Sequence, residues 1–228
     1  SGFPWMAHNS TSGGRIDLNG FDQSFPKCSA GCFVCKNTDP IGQPITNYGF
    51  TSPEGKPARV ILSGDDVVNA AKFQAFNGHF YGTAGFVWDP SDPEAVFAFS
   101  NSVHDTTGEL TVSNGTVRLV AGATFTSLAK LTVAAGATLD LGGTNQFVAA
   151  LSGAGQVRNG TLSAGRLVAD AAATSWTDAQ GTFAVPENLV VEVKNLPSEI
   201  IRLDIRILHA ASYAGLSNLA NATLVGEP

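Results

Sequence analysis

The sequence predicts an all-β protein wound as a parallel β-helix, a solenoid of short stacked strands, and three observations predict it. The first is repetition. Val117–Phe125 (VRLVAGATF) is echoed by Leu131–Leu141 (LTVAAGATLDL), with Gly122 and Gly136 fourteen residues apart, and Ile16–Phe25 (IDLNGFDQSF) is echoed by Leu139–Val148 (LDLGGTNQFV). The second is segment length. From Glu109 to Leu167 the apolar segments are brief and separated by Gly, Asn-Gly or Ser-Gly; such units are too small to bury an apolar face alone and must pile on a neighbour. The third is composition. The chain is 43% hydrophobic and 14% charged, with 25 Gly and one Met among its 228 residues, which favours strands and tight turns over helices. At roughly 20–25 residues per coil the chain makes on the order of eight to ten coils. The competing all-β arrangement is a β-sandwich or jelly roll, which the irregular stretch Phe73–Phe99 would suit.

Taken in order, residues 1–14 are polar and Gly/Ser-rich and are expected to form a flexible N-terminal segment. Residues 15–228 are expected to form a single solenoid domain. Arg15–Phe25 reads as strand–turn–strand, with Ile16 and Leu18 on one side and Asn19-Gly20 at the turn. Residues 26–48 carry three cysteines and three prolines without periodicity, so they read as a loop inserted at a corner. Ala58–Ser63 is a strand. Phe86–Trp88 and Val96–Phe99 are strands flanking the proline-set turn DPSDPE (Asp89–Glu94). Leu189–Val193 and Ile200–Leu208 alternate apolar and polar residues, and residues 189–228 are expected to cap the stack.

The net charge is −6 and no Lys/Arg cluster occurs, so a nucleic-acid partner is not expected. No apolar run reaches the roughly 18 residues of a membrane helix, so no transmembrane segment is expected. An acidic surface rich in Thr, Ser and Asn suits a secreted or cell-surface protein. A secretory leader is expected to have been removed, and Ser1–Trp5 ahead of Met6 reads as a vector remnant.

The words IDLNGFDQ and ATLDLGGTNQFVAALSGAGQVRNGTLS resemble the autotransporter-associated β-strand repeat proteins. The matching positions are Leu139, Asp140, Leu141, Gly142, Gly143, Gln146, Leu151, Gly153, Gly155, Val157 and Asn159, with Ile16, Asp17, Leu18, Asn19, Gly20 and Gln23 in the first copy. The resemblance covers about half the chain, chiefly 15–25 and 110–170. It implies a right-handed, single-stranded parallel β-helix of a bacterial secreted or surface protein. The cysteine-rich loop is no part of that pattern.

Candidate sites follow from residue type. Cys28, Cys32 and Cys35 have the spacing C-x3-C-x2-C. They are open to a local disulfide with a spare thiol, free thiols, a metal site or an intermolecular bridge; the spacing of a radical-enzyme iron–sulfur triad is present without the α/β pattern such enzymes need. Asp65 and Asp66, after Gly64, and Asp105, in Asp105-Thr106-Thr107-Gly108, are the candidate catalytic carboxylates. The last is one residue longer than the Asp-Thr-Gly of aspartic peptidases. Asp89, Asp92 and Glu94 are possible calcium ligands that match no EF-hand. His79 and His104 flank the aromatic region. Tyr81, Phe86 and Trp88 are the candidate ligand-binding residues: either core, or an exposed strip on which pyranose rings stack. No cofactor is expected. The function read from this pattern is structural or adhesive, binding extracellular glycans or glycoproteins, with self-association through the solenoid ends. The alternatives are a carboxylate-dependent secreted hydrolase of mucin-like glycoprotein or polysaccharide and a carbohydrate-binding module.

Overall fold

A computed structural model describes residues 15–25, 49–64, 73–76, 78–100, 103–120, 122–172, 177–196 and 208–226. The N-terminal segment, the loop 26–48 and most of Ile200–Leu208 lie outside these residues. The described strands are β1 (Arg15–Asp17), β2 (Gln23–Phe25), β3 (Gly49–Ser52), β4 (Ala58–Gly64), β5 (Phe73–Phe76), β6 (His79–Gly82), β7 (Ala84–Pro90), β8 (Val96–Ser100), β9 (Val103–Thr106) and β10 (Glu109–Val112). They continue with β11 (Thr116–Val120), β12 (Thr124–Phe125), β13 (Lys130–Val133), β14 (Thr138–Asp140), β15 (Asn145–Gly153), β16 (Gln156–Asp170), β17 (Thr177–Ala184), β18 (Val190–Lys194), β19 (Leu208–Ala214) and β20 (Thr223–Gly226). A short 3₁₀ helix, Leu216–Asn221, precedes the last strand. No helix among the described residues is long and apolar enough to cross a membrane.

Every pairing among these strands is parallel. Hairpin pairing, on which the sandwich reading depends, is absent from them. Apart from β15 with β16 and β16 with β17, strands adjacent in sequence do not pair. Instead β1, β3, β6, β9 and β12 form one sheet, while β2, β4, β7, β10, β13 and β15 follow one another along the second, whose far arm runs β16, β14, β11, β8, β5. Long strands join the arms. In β16, Gln156–Arg158 pairs with β14, Thr161–Ala164 and Arg166–Val168 with β15, and Arg166–Asp170 on its other edge with β18.

Alternation explains which residues line the interior. In β10, β11 and β13 every second side chain is buried, as period-2 backbone requires. In-register pairing then lines up like positions. Val60, Phe86, Leu110, Leu131, Leu151, Leu167, Val191 and Leu224 form one ladder. Phe97, Val117, Leu139, Val157, Ala179 and Ala210 form a second. Each fully buried aliphatic side chain contributes about 1.5–3 kcal/mol, and one apolar cluster runs from Leu18 to Ala210. The first ladder ends at Leu224, which is 74% exposed. Tyr213, in register with Phe183, accepts the Ala210 N–H on its hydroxyl at 3.0 Å.

The sequence echoes are corners. Phe21 N–H bonds to Leu18 O at 2.9 Å across Asn19 and Gly20, whose φ values are 47° and 86°; Thr144 N–H bonds to Leu141 O at 3.0 Å across Gly142 and Gly143, at 59° and 85°. In both, the Asp before the turn accepts a backbone N–H two residues on, Asn19 from Asp17 and Gly142 from Asp140. The two corners occupy different places. The first leads from β1 to β2 and the second from β14 to β15, so Asp17 lies beside Thr51 whereas Asp140 lies between Arg118 and Arg158. The expected equivalence of the two aspartates is therefore local only. The fourteen-residue echo behaves alike: Gly122 sits between β11 and β12, Gly136 between β13 and β14. Leu110 returns to register at Leu131, twenty-one residues on.

Candidate functional site

Of the sequence candidates, Cys28, Cys32, Cys35, Asp65 and Asp66 lie outside the described residues. The others separate. Phe86 and Trp88 are 2% and 0% exposed. They point inward from β7 and pack on Phe97 with ring centroids 4.6 and 5.3 Å away. That corrects the exposed strip for these two residues and leaves the core alternative: alternation on β7 turns both inward. Tyr81 is half-buried on β6 and pairs in register with Asp105 of β9, which is exposed. These two candidates are brought together, with Thr51 and Asp17 continuing their column. The Asp105–Gly108 motif is itself a corner. Thr106 is buried, donates its hydroxyl to Ala84 O at 2.6 Å and accepts the Gly108 N–H at 2.9 Å. Asp105 Oδ1 accepts the Thr126 hydroxyl at 3.2 Å. In the DPSDPE turn, Asp92 accepts the Glu94 N–H at 2.8 Å. Among the described residues no three His, Cys, Asp or Glu side chains converge to hold a metal ion.

The histidines divide as well. His79 is half-buried and its Nδ1 lies 3.1 Å from Val103 O. His104 is 0% exposed, and burial, with a smaller push from His79, takes its pKa down to about 3. Its Nδ1 accepts the Phe80 N–H at 3.3 Å, so the ring is neutral and structural.

A groove of about 640 Å³ follows the corner between the first sheet and the second. Residues of successive passes line it: Phe21 and Asp22, then Arg59, Thr83, Thr107 and Glu109. Phe21 is 68% exposed. The Asn19-Gly20 turn throws it outward, because the turn hydrogen bond holds its backbone against the core while the side chain takes the solvent side. Asp22 accepts the Arg59 backbone N–H at 2.7 Å and the guanidinium Nε and Nη2 at 3.1 and 2.6 Å. The side-chain bonds to Arg59 are the main reason the Asp22 carboxyl sits below its ordinary range, against the opposing effect of burial. Thr83 and Thr107 donate their hydroxyls to Pro53 O and Gly82 O, at 2.8 and 3.1 Å, and so tie each corner to the previous pass.

Sequence reasoning missed this groove. Phe21 carried a signal, an aromatic directly after an Asn-Gly turn. Arg59 carried none, because its partner Asp22 stands thirty-seven residues earlier. No protein-family model, no curated protein and no solved structure matches the chain.

Proposed function

We propose that the chain is a right-handed, single-stranded parallel β-helix of the autotransporter-associated repeat type, secreted or displayed at the bacterial surface. Its work is structural and adhesive: a rigid stack that presents a face to extracellular glycans or glycoproteins. The observation that carries this reading is the outward column Asp17–Thr51–Tyr81–Asp105, in register across β1, β3, β6 and β9. Parallel stacking fixes these side chains at about 4.8 Å intervals, so polar groups and an aromatic ring are held in a preorganised row, which limits the ordering cost of binding.

The test is binding of the intact chain to a glycan array and to immobilised mucin-type glycoprotein. Saturable binding to either supports the reading; binding to neither contradicts it.

A secreted hydrolase of the same polymers is the second reading, favoured by the exposed Asp105 beside Tyr81. In this column the next carboxylate, Asp17, is three strands away, about 14 Å at about 4.8 Å per strand. That exceeds the roughly 6.5–9.5 Å of inverting glycosidases and the roughly 3 Å of an aspartic dyad. Incubation with mucin or pectic polysaccharide decides: fragments that disappear in a folded Asp105→Ala variant would establish the hydrolase.

A further inference from the structure

We propose that the corner groove beside Phe21 is a binding site for a neutral oligosaccharide, with a pyranose ring stacked on Phe21 and sugar hydroxyls bonded by Asp22, Arg59 and Glu109. This rests on the glycan-binding reading above and adds where the sugar sits and which charge class it has.

The aromatic platform comes first. Phe21 is 68% exposed on a corner whose conformation is set by Asn19 and Gly20 and by the bond from its own N–H to Leu18 O. An exposed ring on a turn adds nothing to the core. Its flat apolar face matches the C–H face of a pyranose, the contact that aromatic side chains offer sugars. The backbone turn fixes the Cα–Cβ direction of Phe21, so only the ring's own rotation remains to be ordered on binding.

The polar groups are also held in place. Two guanidinium donors of Arg59 are engaged by one carboxylate oxygen of Asp22. Guanidinium carries five N–H donors in a planar fork, so the fork retains donors beyond this pair. Glu109 lines the same groove and its field acts on Arg59. Gly85 lies in register with Arg59. A Cβ there would fall 2.6 Å from Glu109 O and 3.3 Å from Arg59 Cγ, so glycine lets the Arg59 and Glu109 passes close together. Planar charged groups of this kind accept and donate to vicinal hydroxyls in pairs. With two carboxylates to one guanidinium the trio is net negative, which disfavours uronate and sialylated chains.

Size and direction agree. The volume of about 640 Å³ falls inside the roughly 300–1,000 Å³ of small-ligand sites. The lining passes from Phe21 to Ala129 across successive strands, so the groove runs along the stacking direction. One strand step of about 4.8 Å is close to the length of one pyranose unit in an extended chain.

The experiment is calorimetric titration of the intact chain with neutral hexasaccharides (β-1,4-glucan, β-1,4-mannan and chitin types) and with oligogalacturonate and sialylated oligosaccharides. At least one neutral chain is expected to bind and the acidic ones to bind at least about tenfold more weakly. Phe21→Ala and the groove-filling Ala129→Trp, both at exposed positions and checked by circular dichroism and melting, are expected to weaken binding at least about tenfold, and Tyr81→Ala by less. If Phe21→Ala and Ala129→Trp bind as the parent does while Tyr81→Ala loses binding, the groove is the wrong site and the glycan-binding reading stands. Preference for acidic chains overturns the charge class. If no glycan of either class binds, the glycan-binding reading falls and the groove falls with it.

Discussion

His104 lies face to face with Phe125 in the interior, ring centroids 4.6 Å apart and planes 24° from parallel. It stands in a position that aromatic residues fill on neighbouring passes, in register with Phe125 and, through β6, above Phe80. Its imidazole does two things there: it packs as a ring, and its Nδ1 satisfies the Phe80 N–H. Gln146 does the equivalent one pass later, where its Oε1 accepts the Phe125 N–H at 3.0 Å. Buried backbone donors need such partners; here two polar side chains supply them where the first sheet narrows to the two residues of β12.

His104 makes stability depend on pH. Its folded pKa is depressed to about 3, while an unfolded histidine titrates near 6.5, so the unfolded chain binds the extra proton between these values. The contribution is fully present above about 6.5 and is lost as pH falls, by up to about 1.4 kcal/mol per unit. Urea unfolding at pH 7.5, 6.5 and 5.5 should show this fall, and His104→Gln should flatten it. An unchanged slope in the variant would remove His104 as the cause.

Gly142 and Gly143 are neighbours with different tasks. Both have positive φ, but a Cβ on Gly142 would lie 1.9 Å from Leu119 O, whereas nothing lies within 4 Å of one on Gly143. Gly143→Ala is expected to cost about 1–2 kcal/mol, the left-handed penalty alone. Gly142→Ala must also push β11 away and should exceed it by at least about 1 kcal/mol. Chemical denaturation of the two single variants measures the difference.

Asp140 braces a charged column. Its carboxylate lies 3.3 Å from Arg158 Nε and 3.5 Å from Arg118 Nε, and it accepts the Gly142 N–H. Burial raises its pKa, but hydrogen bonds from Asn159 and Gly142 and the two guanidinium charges bring the net value below the ordinary range. Asp140→Ala leaves two cations facing each other and a turn donor unbonded, so a loss of about 1–2 kcal/mol is expected. A depressed carboxylate stabilises above its unfolded pKa and stops doing so as pH falls through the folded one. The gap between parent and variant should therefore close on acidification to pH 3 and below.

The strands from β10 to β14 were legible because alternation and turn glycines are local signals: ELTV, TVRLV and KLTV bury every second residue as written. The short segments expected after them instead run together into β15 and β16, with Gly160 and Gly165 inside β16 rather than ending a strand. The phase of the repeat was not legible. The same words, Asp-Leu before a tight turn and Ala-Gly-Ala between strands, serve different corners, so the local echo is shorter than one pass. Register depends on partners such as Leu131 for Leu110, which no local word encodes. The site was less legible still. Alternation on β7 already turns Phe86 and Trp88 to one side, but only the ladder from Val60 to Leu224 shows that this side is the interior. The Asp22–Arg59 pair needs the passes to be stacked before it exists at all.

The inward ladder makes a further contrast measurable. Leu131 is 1% exposed and Leu224, its counterpart at the end of the same ladder, is 74% exposed. Leu131→Ala is expected to cost about 2–5 kcal/mol and Leu224→Ala less than about 0.5 kcal/mol, both read from denaturation midpoints.

The most direct measurement of the stacked parallel register is dipolar broadening between spin labels on one outward column of the second sheet. Thr111, Thr132, Ser152 and Val168 stand in register on consecutive strands. With one label at Thr111 and the second moved to Thr132, Ser152 and Val168 in turn, backbone separations should rise in even steps to about 5, 10 and 14 Å, at about 4.8 Å per strand. Separations that do not climb in that order, or a Val168 label closer to Thr111 than the Thr132 label, would contradict the register and the account built on it.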